Sequence, residues 1–224
     1  MDNSYVQQLV DQFIEHKDAV YAEWSENYLR NQFTCLGIRT PIRKQLIKEH
    51  IKVHGLPERE SLKEVIFSLW NLPAREYQHA ALDILQHSKK SLTPEDMEWL
   101  SPLITSKSWW ETVDTLAPNI FGYLFTEYPD LVNQYADQWI NDDQMWLQRT
   151  AILFQLKYKE KTNEDRLFAY IQRRSESNEF FVQKAIGWSL REYAKSNPNR
   201  VKLFVSETSL KPLSQREALK HLNK

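Results

Sequence analysis

Four polar side chains of this 224-residue chain stand 35 residues apart: His79, Asp114, Arg149 and Lys184. Another 35 residues toward the N-terminus lies Lys44. The neighbourhoods superimpose as well. Tyr77-Gln78-His79-Ala80-Ala81, Leu147-Gln148-Arg149-Thr150-Ala151 and Val182-Gln183-Lys184-Ala185-Ile186 share an apolar-Gln-polar frame. A period of this length marks stacked helical-pair repeats, whose equivalent positions form one column along a concave surface. A column of Lys, His and Arg with one carboxylate in it describes a site for an anionic polymer with a single reactive group.

The helical faces around these positions sharpen that reading. In a helix opening at Trp109, Trp109, Val113, Leu116 and Ile120 fall on one core stripe, while Trp110 and Asp114, at i and i+4, lie together about 100° round from it. A rim tryptophan beside a solvated aspartate is the plain alternative. From Glu179 to Lys195, Val182, Ile186, Leu190 and Tyr193 make an apolar stripe, and Phe180, Lys184, Trp188, Arg191 and Lys195 make another. Cations around a tryptophan suit a nucleic-acid face: the cations neutralise phosphates and the indole offers a flat apolar surface. In the helix 145–158, Arg149 falls in a stripe with Trp146, Leu153 and Leu156. A guanidinium in such company requires an anion, and the repeat nominates Asp114. A purely structural Arg–Asp bridge satisfies the same requirement.

The elements that must position these residues are helices. Only four glycines are present, strand-like alternation is missing, and helical periodicity runs almost end to end between prolines and Ser/Asn/Asp caps. The pattern predicts helices at 3–16, 18–32, 41–54, 60–70, 74–88, 94–105, 109–117, 119–127, 129–140, 145–158, 164–174, 178–195, 198–206 and 214–222. Ser108 and Glu111 have capping-box spacing. The expected architecture is a single all-α domain spanning 1–224, a solenoid of stacked helical pairs with a concave groove.

Bulk properties narrow the function. Residues 1–140 hold 13 basic and 20 acidic side chains, and residues 141–224 hold 16 and 10, so a net charge of −1 divides into −7 and +6. A basic C-terminal part fits a local phosphate-binding patch, although charge alone is better accounted for by solvated helix faces. Cys35 is the only cysteine, which excludes an intramolecular disulfide. No apolar run approaches a membrane span and the N-terminus is polar and amphipathic, so a cytoplasmic protein is expected. His50 and His54 have i, i+4 spacing but no third ligand follows in the zincin pattern, and no phosphate-cradling loop, dinucleotide fingerprint or nucleophile elbow is present. No metal or cofactor is expected.

Five segments carry a resemblance across nearly the whole chain: Leu36-Gly37-Ile38-Arg39-Thr40-Pro41, Leu69-Trp70-Asn71-Leu72-Pro73, Ser106-Lys107-Ser108-Trp109-Trp110-Glu111-Thr112-Val113-Asp114, Trp146 through Tyr158, and Phe181 through Lys195. Together they resemble the AlkD-type DNA alkylation-repair glycosylases, built from HEAT-like repeats. The resemblance implies a catalytic carboxylate at Asp114, sugar-facing tryptophans at Trp110 and Trp188, and a nearby arginine at Arg149. It places Tyr28 near the lesion and Arg39 where better-studied relatives carry Gln. With the column and the basic stripe, the expected DNA contacts are Tyr28, Arg39, Lys44, His79, Lys184, Arg191 and Lys195.

The implied reaction is hydrolysis of the N-glycosidic bond of cationic purines, 3-methyladenine and 7-methylguanine, in duplex DNA, by a monomer that does not enclose the base. A carboxylate would stabilise the oxocarbenium-like sugar and position water. Two indole faces would add cation–π attraction as charge develops. The competing reading is a HEAT-repeat scaffold or a DNA-binding relative without activity, since fold alone does not settle function.

Overall fold

Helix is the only regular element among residues 3–222, the part of the chain that the computed structural model describes. The chain divides into two compact units, Met1–Leu92 and Thr93–Lys224.

The first unit contains α1 (Asn3–Glu15), α2 (Ala19–Tyr28), α3 (Thr40–His54), α4 (Arg59–Asn71) and α5 (Arg75–Ser88). Leu9 and Phe13 of α1, Ile47 of α3, Leu62, Ile66 and Trp70 of α4 and Ile84 of α5 are fully or almost fully buried and form its core. The α2–α3 connection is pinned by a buried carboxylate: Glu76 accepts hydrogen bonds from the backbone N–H groups of Leu36, Gly37 and Ile38 at 2.9, 2.8 and 3.2 Å. Gly37 is required there, with φ of 85° and no room for a Cβ, which would lie 1.9 Å from the Asp18 carbonyl oxygen. His50 is buried against Tyr5 and His54, at ring separations of 4.4 and 4.6 Å, and neither of its nitrogens has a hydrogen-bond partner. Burial first, then the neighbouring His54, lowers its pKa to about 4. His50 is therefore a neutral core side chain.

The second unit contains α6 (Met97–Leu100), α7 (Trp110–Leu116), α8 (Gly122–Glu127), α9 (Asp137–Trp139), α10 (Met145–Leu153), α11 (Glu164–Arg174), α12 (Phe180–Tyr193), α13 (Pro198–Glu207) and α14 (Pro212–Leu219). The expected break at Pro118 does not occur. A π-helical stretch, Ala117–Phe121, joins α7 to α8, and the N–H of Gly122 reaches the carbonyl of Ala117. Proline has no N–H to give the carbonyl four residues back, so the ladder widens here instead of stopping. The widened turn lies immediately after Asp114. Conversely, α10 ends at Leu153, short of the expected 158. Gln155 closes the following loop by exchanging two hydrogen bonds with the backbone of Asn163, at 3.2 and 2.7 Å.

The repeated glutamine has a structural explanation. Gln78, Gln148 and Gln183 each donate Nε2 to the carbonyl six residues earlier, on Leu72, Asp142 and Ser177, at 2.8, 2.7 and 3.0 Å. Gln78 also reaches the Trp70 carbonyl at 2.8 Å. Each bond ties the turn before a helix to that helix's first turns, which fixes the phase of the next residue: His79, Arg149 or Lys184. Gln78 is fully buried, so Gln78→Met removes the donor of two hydrogen bonds and leaves the Trp70 and Leu72 carbonyls without it, at little change in volume. The expected cost is about 1–3 kcal/mol, read as a lower urea midpoint at unchanged slope. A midpoint equal to wild type would show that the turn is set elsewhere.

Candidate functional site

Asp114 is the fifth residue of α7 and Arg149 the fifth residue of α10. The structure joins them. Arg149 Nε donates to Asp114 Oδ1 at 2.8 Å and Nη2 to Oδ2 at 2.9 Å, a bidentate pair across 35 residues of sequence. Nη1 donates to the backbone carbonyl of Phe181 in the first turn of α12. One guanidinium therefore ties together three helices. The arginine side chain is 5% exposed and the aspartate 16%, so the acid is the more accessible member of the pair.

Two opposed effects act on that carboxylate. Burial pushes the Asp114 carboxyl above its ordinary pKa and the Glu111 carboxylate adds to the push, while Arg149 pulls it back by charge and by hydrogen bonding. Of these, burial is the largest.

The tryptophans are placed differently from the helical-phase expectation. Trp109 is the N-cap of α7, with extended backbone (φ −155°, ψ 167°), so it lies outside the helix and off the stripe of Val113, Leu116 and Ile120, all fully buried. Ser108 forms no capping box: the cap lies one residue later and has no side-chain cap bond, and Thr112 Oγ1 donates instead to the Trp109 carbonyl at 3.1 Å. Trp109 is half-buried and its ring meets Phe181 at 5.3 Å and Trp146 at 6.0 Å, while Trp146 and Phe181 meet at 4.9 Å. This aromatic cluster packs beside the ion pair, with the Arg149 guanidinium 5.9 Å from the Phe181 ring centre. Trp110, one turn before Asp114 on α7, is half-buried. Trp188 on α12 is half-buried too, and makes no ring stack or hydrogen bond among the described residues.

The cations of the basic stripe on α12 are partly exposed and already have acidic partners within the protein. Lys184 pairs with Glu217 at 2.9 Å, Arg191 pairs with the same carboxylate at 2.7 Å, and Lys195 pairs with Glu192 at 2.7 Å. The helix α14, which carries Glu217, packs against α12 through Gly187. Sequence periodicity within one helix cannot show that a later helix brings an acid to its cations.

The first unit has its own polar ladder, one residue out of phase with the 35-residue spacing. Arg43, not Lys44, faces α5: its Nε donates to Asp83 at 3.0 Å and its Nη1 to His79 Nδ1 at 3.1 Å. Arginine has no acceptor, so Nδ1 of His79 accepts, and the imidazole proton is on Nε2. Arg43 is a permanent cation at this rung. Lys44 is exposed and lines a shallow pocket with Lys48 and His87. The exposed face of α2 carries a stack of Tyr21, Trp24 and Tyr28, with ring separations of 5.1 and 5.3 Å and near-parallel planes. Arg39 lies 4.5 Å over Tyr21. Arg43, the Phe181 carbonyl and Glu217 join these contacts with no signal in the sequence pattern, whereas Asp83 stands one helical turn after His79, a spacing that points to it.

Comparison with known proteins bears on the family and the fold. Residues 9–222 match the family model described as DNA alkylation repair enzyme. A solved structure described as a predicted DNA alkylation repair enzyme from Enterococcus faecalis aligns at 33% identity and a TM-score of 0.87, over 93% of this chain and 98% of that one. Two Streptococcus mutans structures share the fold, both with a TM-score of 0.64. The protein smu.31 of strain UA159 is 15% identical, over 97% of this chain and 98% of its own, and AlkD2 is 16% identical, over 89% and 98%. No curated protein matches the sequence.

Removing Arg149 leaves the Asp114 carboxylate buried without its counter-charge. Arg149→Ala should lower folding stability by about 3–5 kcal/mol. Adding Asp114→Asn to that variant should restore part of the loss, since the uncompensated charge is then gone. Denaturant unfolding of the two single variants and the double variant measures both effects. A loss below about 1 kcal/mol, or strict additivity, would mean that the pair behaves as a solvated surface bridge.

Proposed function

The chain belongs to the DNA alkylation repair enzyme family, and from that premise we propose that it is a DNA glycosylase hydrolysing the N-glycosidic bond of cationic N-alkylated purines in duplex DNA. The observation that carries the reading is the partial exposure of Asp114: its side chain is 16% exposed while its carboxylate is held in a fixed plane by an arginine that is itself buried. A purely structural bridge has no need to leave its acid partly open to solvent one helical turn from the half-buried indole of Trp110.

The chemistry follows from the leaving group. A purine alkylated at N3 or N7 carries a positive charge, so the bond from C1′ to the base nitrogen can break with its electron pair neutralising the base. Protonation of the base is unnecessary. Positive charge appears on the sugar, and water must add to C1′ and lose a proton. Asp114 stabilises that charge and holds the water. Trp110 and Trp188 offer indole faces to the sugar, which attract it more strongly as it becomes cationic. Arg149 spends its Nε, Nη1 and Nη2 on protein oxygens, so it acts through Asp114 as a positioning residue. No base-enclosing pocket is part of this scheme, and substrates are expected to be 3-methyladenine and 7-methylguanine. Tyr28, Arg39, Lys44 and His79 of the first unit and Lys195 of the second are proposed duplex contacts.

Asp114→Asn keeps shape and removes charge. It should abolish most release of methylated base from alkylated DNA while duplex binding stays equal or tightens. Release at the wild-type rate by folded variant would remove Asp114 from the mechanism, and wild-type protein that binds duplex but releases nothing would mark a non-catalytic relative. The pH dependence is a separate check. The working species is the ionised carboxylate, and its pKa is raised, so single-turnover release should fall on acidification with a midpoint above the ordinary carboxylate value of about 4. A midpoint at or below that value counts against the assignment.

A further inference from the structure

On α12, Gly187 lies one turn from both Lys184 and Arg191, and α14 is seated directly on it. A Cβ at Gly187 would stand 2.4 Å from Glu217 Cβ and 2.9 Å from the Ser214 carbonyl oxygen. Ser214 and Ala218 are fully buried, and Ser214 Oγ donates to the Gln183 carbonyl at 3.1 Å. Backbone packing therefore fixes where Glu217 projects. Its Oε1 receives Lys184 at 2.9 Å and its Oε2 receives Arg191 Nη1 at 2.7 Å, while that same Nη1 also meets the Glu217 carbonyl at 2.9 Å. The hydrogen bond from Lys184 is the largest influence holding the Glu217 carboxyl below its ordinary range, so it is ionised at neutral pH.

The trio sums to one positive charge, with donors to spare. An ammonium has three N–H groups and a guanidinium five; Lys184 spends one on Glu217 and Arg191 spends two. The cations are also its accessible members: the side chains of Lys184 and Arg191 are 37% and 22% exposed, that of Glu217 14%. A net charge of one, with unspent donors on the open side, matches one phosphodiester.

We infer that Lys184, Arg191 and Glu217 form a single phosphodiester seat on α12, in which Glu217 is an internal anion that gathers the two cations and that a DNA phosphate must share. The inference rests on the duplex-DNA reading above. Glu217 is a positioning residue that also tempers the seat: without its charge the phosphate would face two positive charges instead of one. Sequence-independent affinity would then rise, because Glu217 would no longer offset the attraction of the two cations for the phosphate.

The test is equilibrium binding of undamaged duplex DNA, by fluorescence anisotropy across a salt series, with wild type, Glu217→Gln and Lys184→Gln. Thermal melting accompanies each protein. The Gln at 217 keeps an acceptor in place and removes the charge. Several-fold tighter binding at low salt is expected, with a log K against log[salt] slope steeper by up to about 0.9. Lys184→Gln should flatten the slope by about 0.9. Unchanged or weaker binding by folded Glu217→Gln overturns the inference. Should Glu217→Gln melt below the assay temperature, Lys184→Gln decides: a flattened slope upholds the seat and an unaltered slope overturns it. Wild-type protein without salt-dependent duplex binding would overturn the DNA reading itself, which separates the two failures.

Discussion

A guanidinium buried to the extent of Arg149 can exist only beside a fixed anion, because the desolvation of an unpaired charge costs several kcal/mol. Asp114 meets that requirement with both carboxylate oxygens, and the Phe181 carbonyl takes a third N–H. The consequence is geometric. The helices α7, α10 and α12 are tied at one point, and the aromatic cluster of Trp109, Trp146 and Phe181 closes beside it. Such a pair adds little net stability compared with an apolar replacement, yet it is expensive to break. Its value lies in orientation: a carboxylate gripped by two parallel N–H bonds cannot rotate out of their plane.

The turn-closing glutamines supply the phase that this pair needs. In three repeats a Gln side chain ties a helix to the backbone six residues before it, and the next residue then projects at a defined angle. The repeat containing Asp114 departs from that rule, since Val113 stands where the Gln would be. Its entry is built from a left-handed Lys107 (φ 48°) and a backbone bond from Ser106 to Pro102 at 3.0 Å. Pro118 then forces the ladder to widen directly after the carboxylate. The irregular repeat is the one that carries the acid.

Several cations of this protein are already paired with internal anions. Arg43 is bound to Asp83 and His79 in the first unit, and Lys184 and Arg191 share Glu217 in the second. Internal anions of this kind keep long cationic side chains ordered, which lowers the entropy lost when they meet a ligand. They also subtract from the net charge that a phosphate backbone experiences.

Helix content, the 35-residue period and the partnership of Arg149 with Asp114 were all readable from the chain, because each rests on local periodicity or on the rule that a buried charge needs a partner. The apolar stripe of Val182, Ile186, Leu190 and Tyr193 is buried as periodicity demands. Where reading from sequence went astray, the deciding contact came from far along the chain or from a single residue of phase. Trp109 stands in extended backbone, so helical arithmetic does not apply to it. Arg43 replaces Lys44 at its rung because one residue turns a helix by about 100°. The carboxylate that meets Lys184 and Arg191 arrives from α14, more than 25 residues later, by way of a glycine that lets two backbones touch. Composition and spacing determined which residues could do chemistry. Tertiary packing decided which charges are already spent, because pairing depends on distances of about 3 Å between elements whose approach no local pattern encodes.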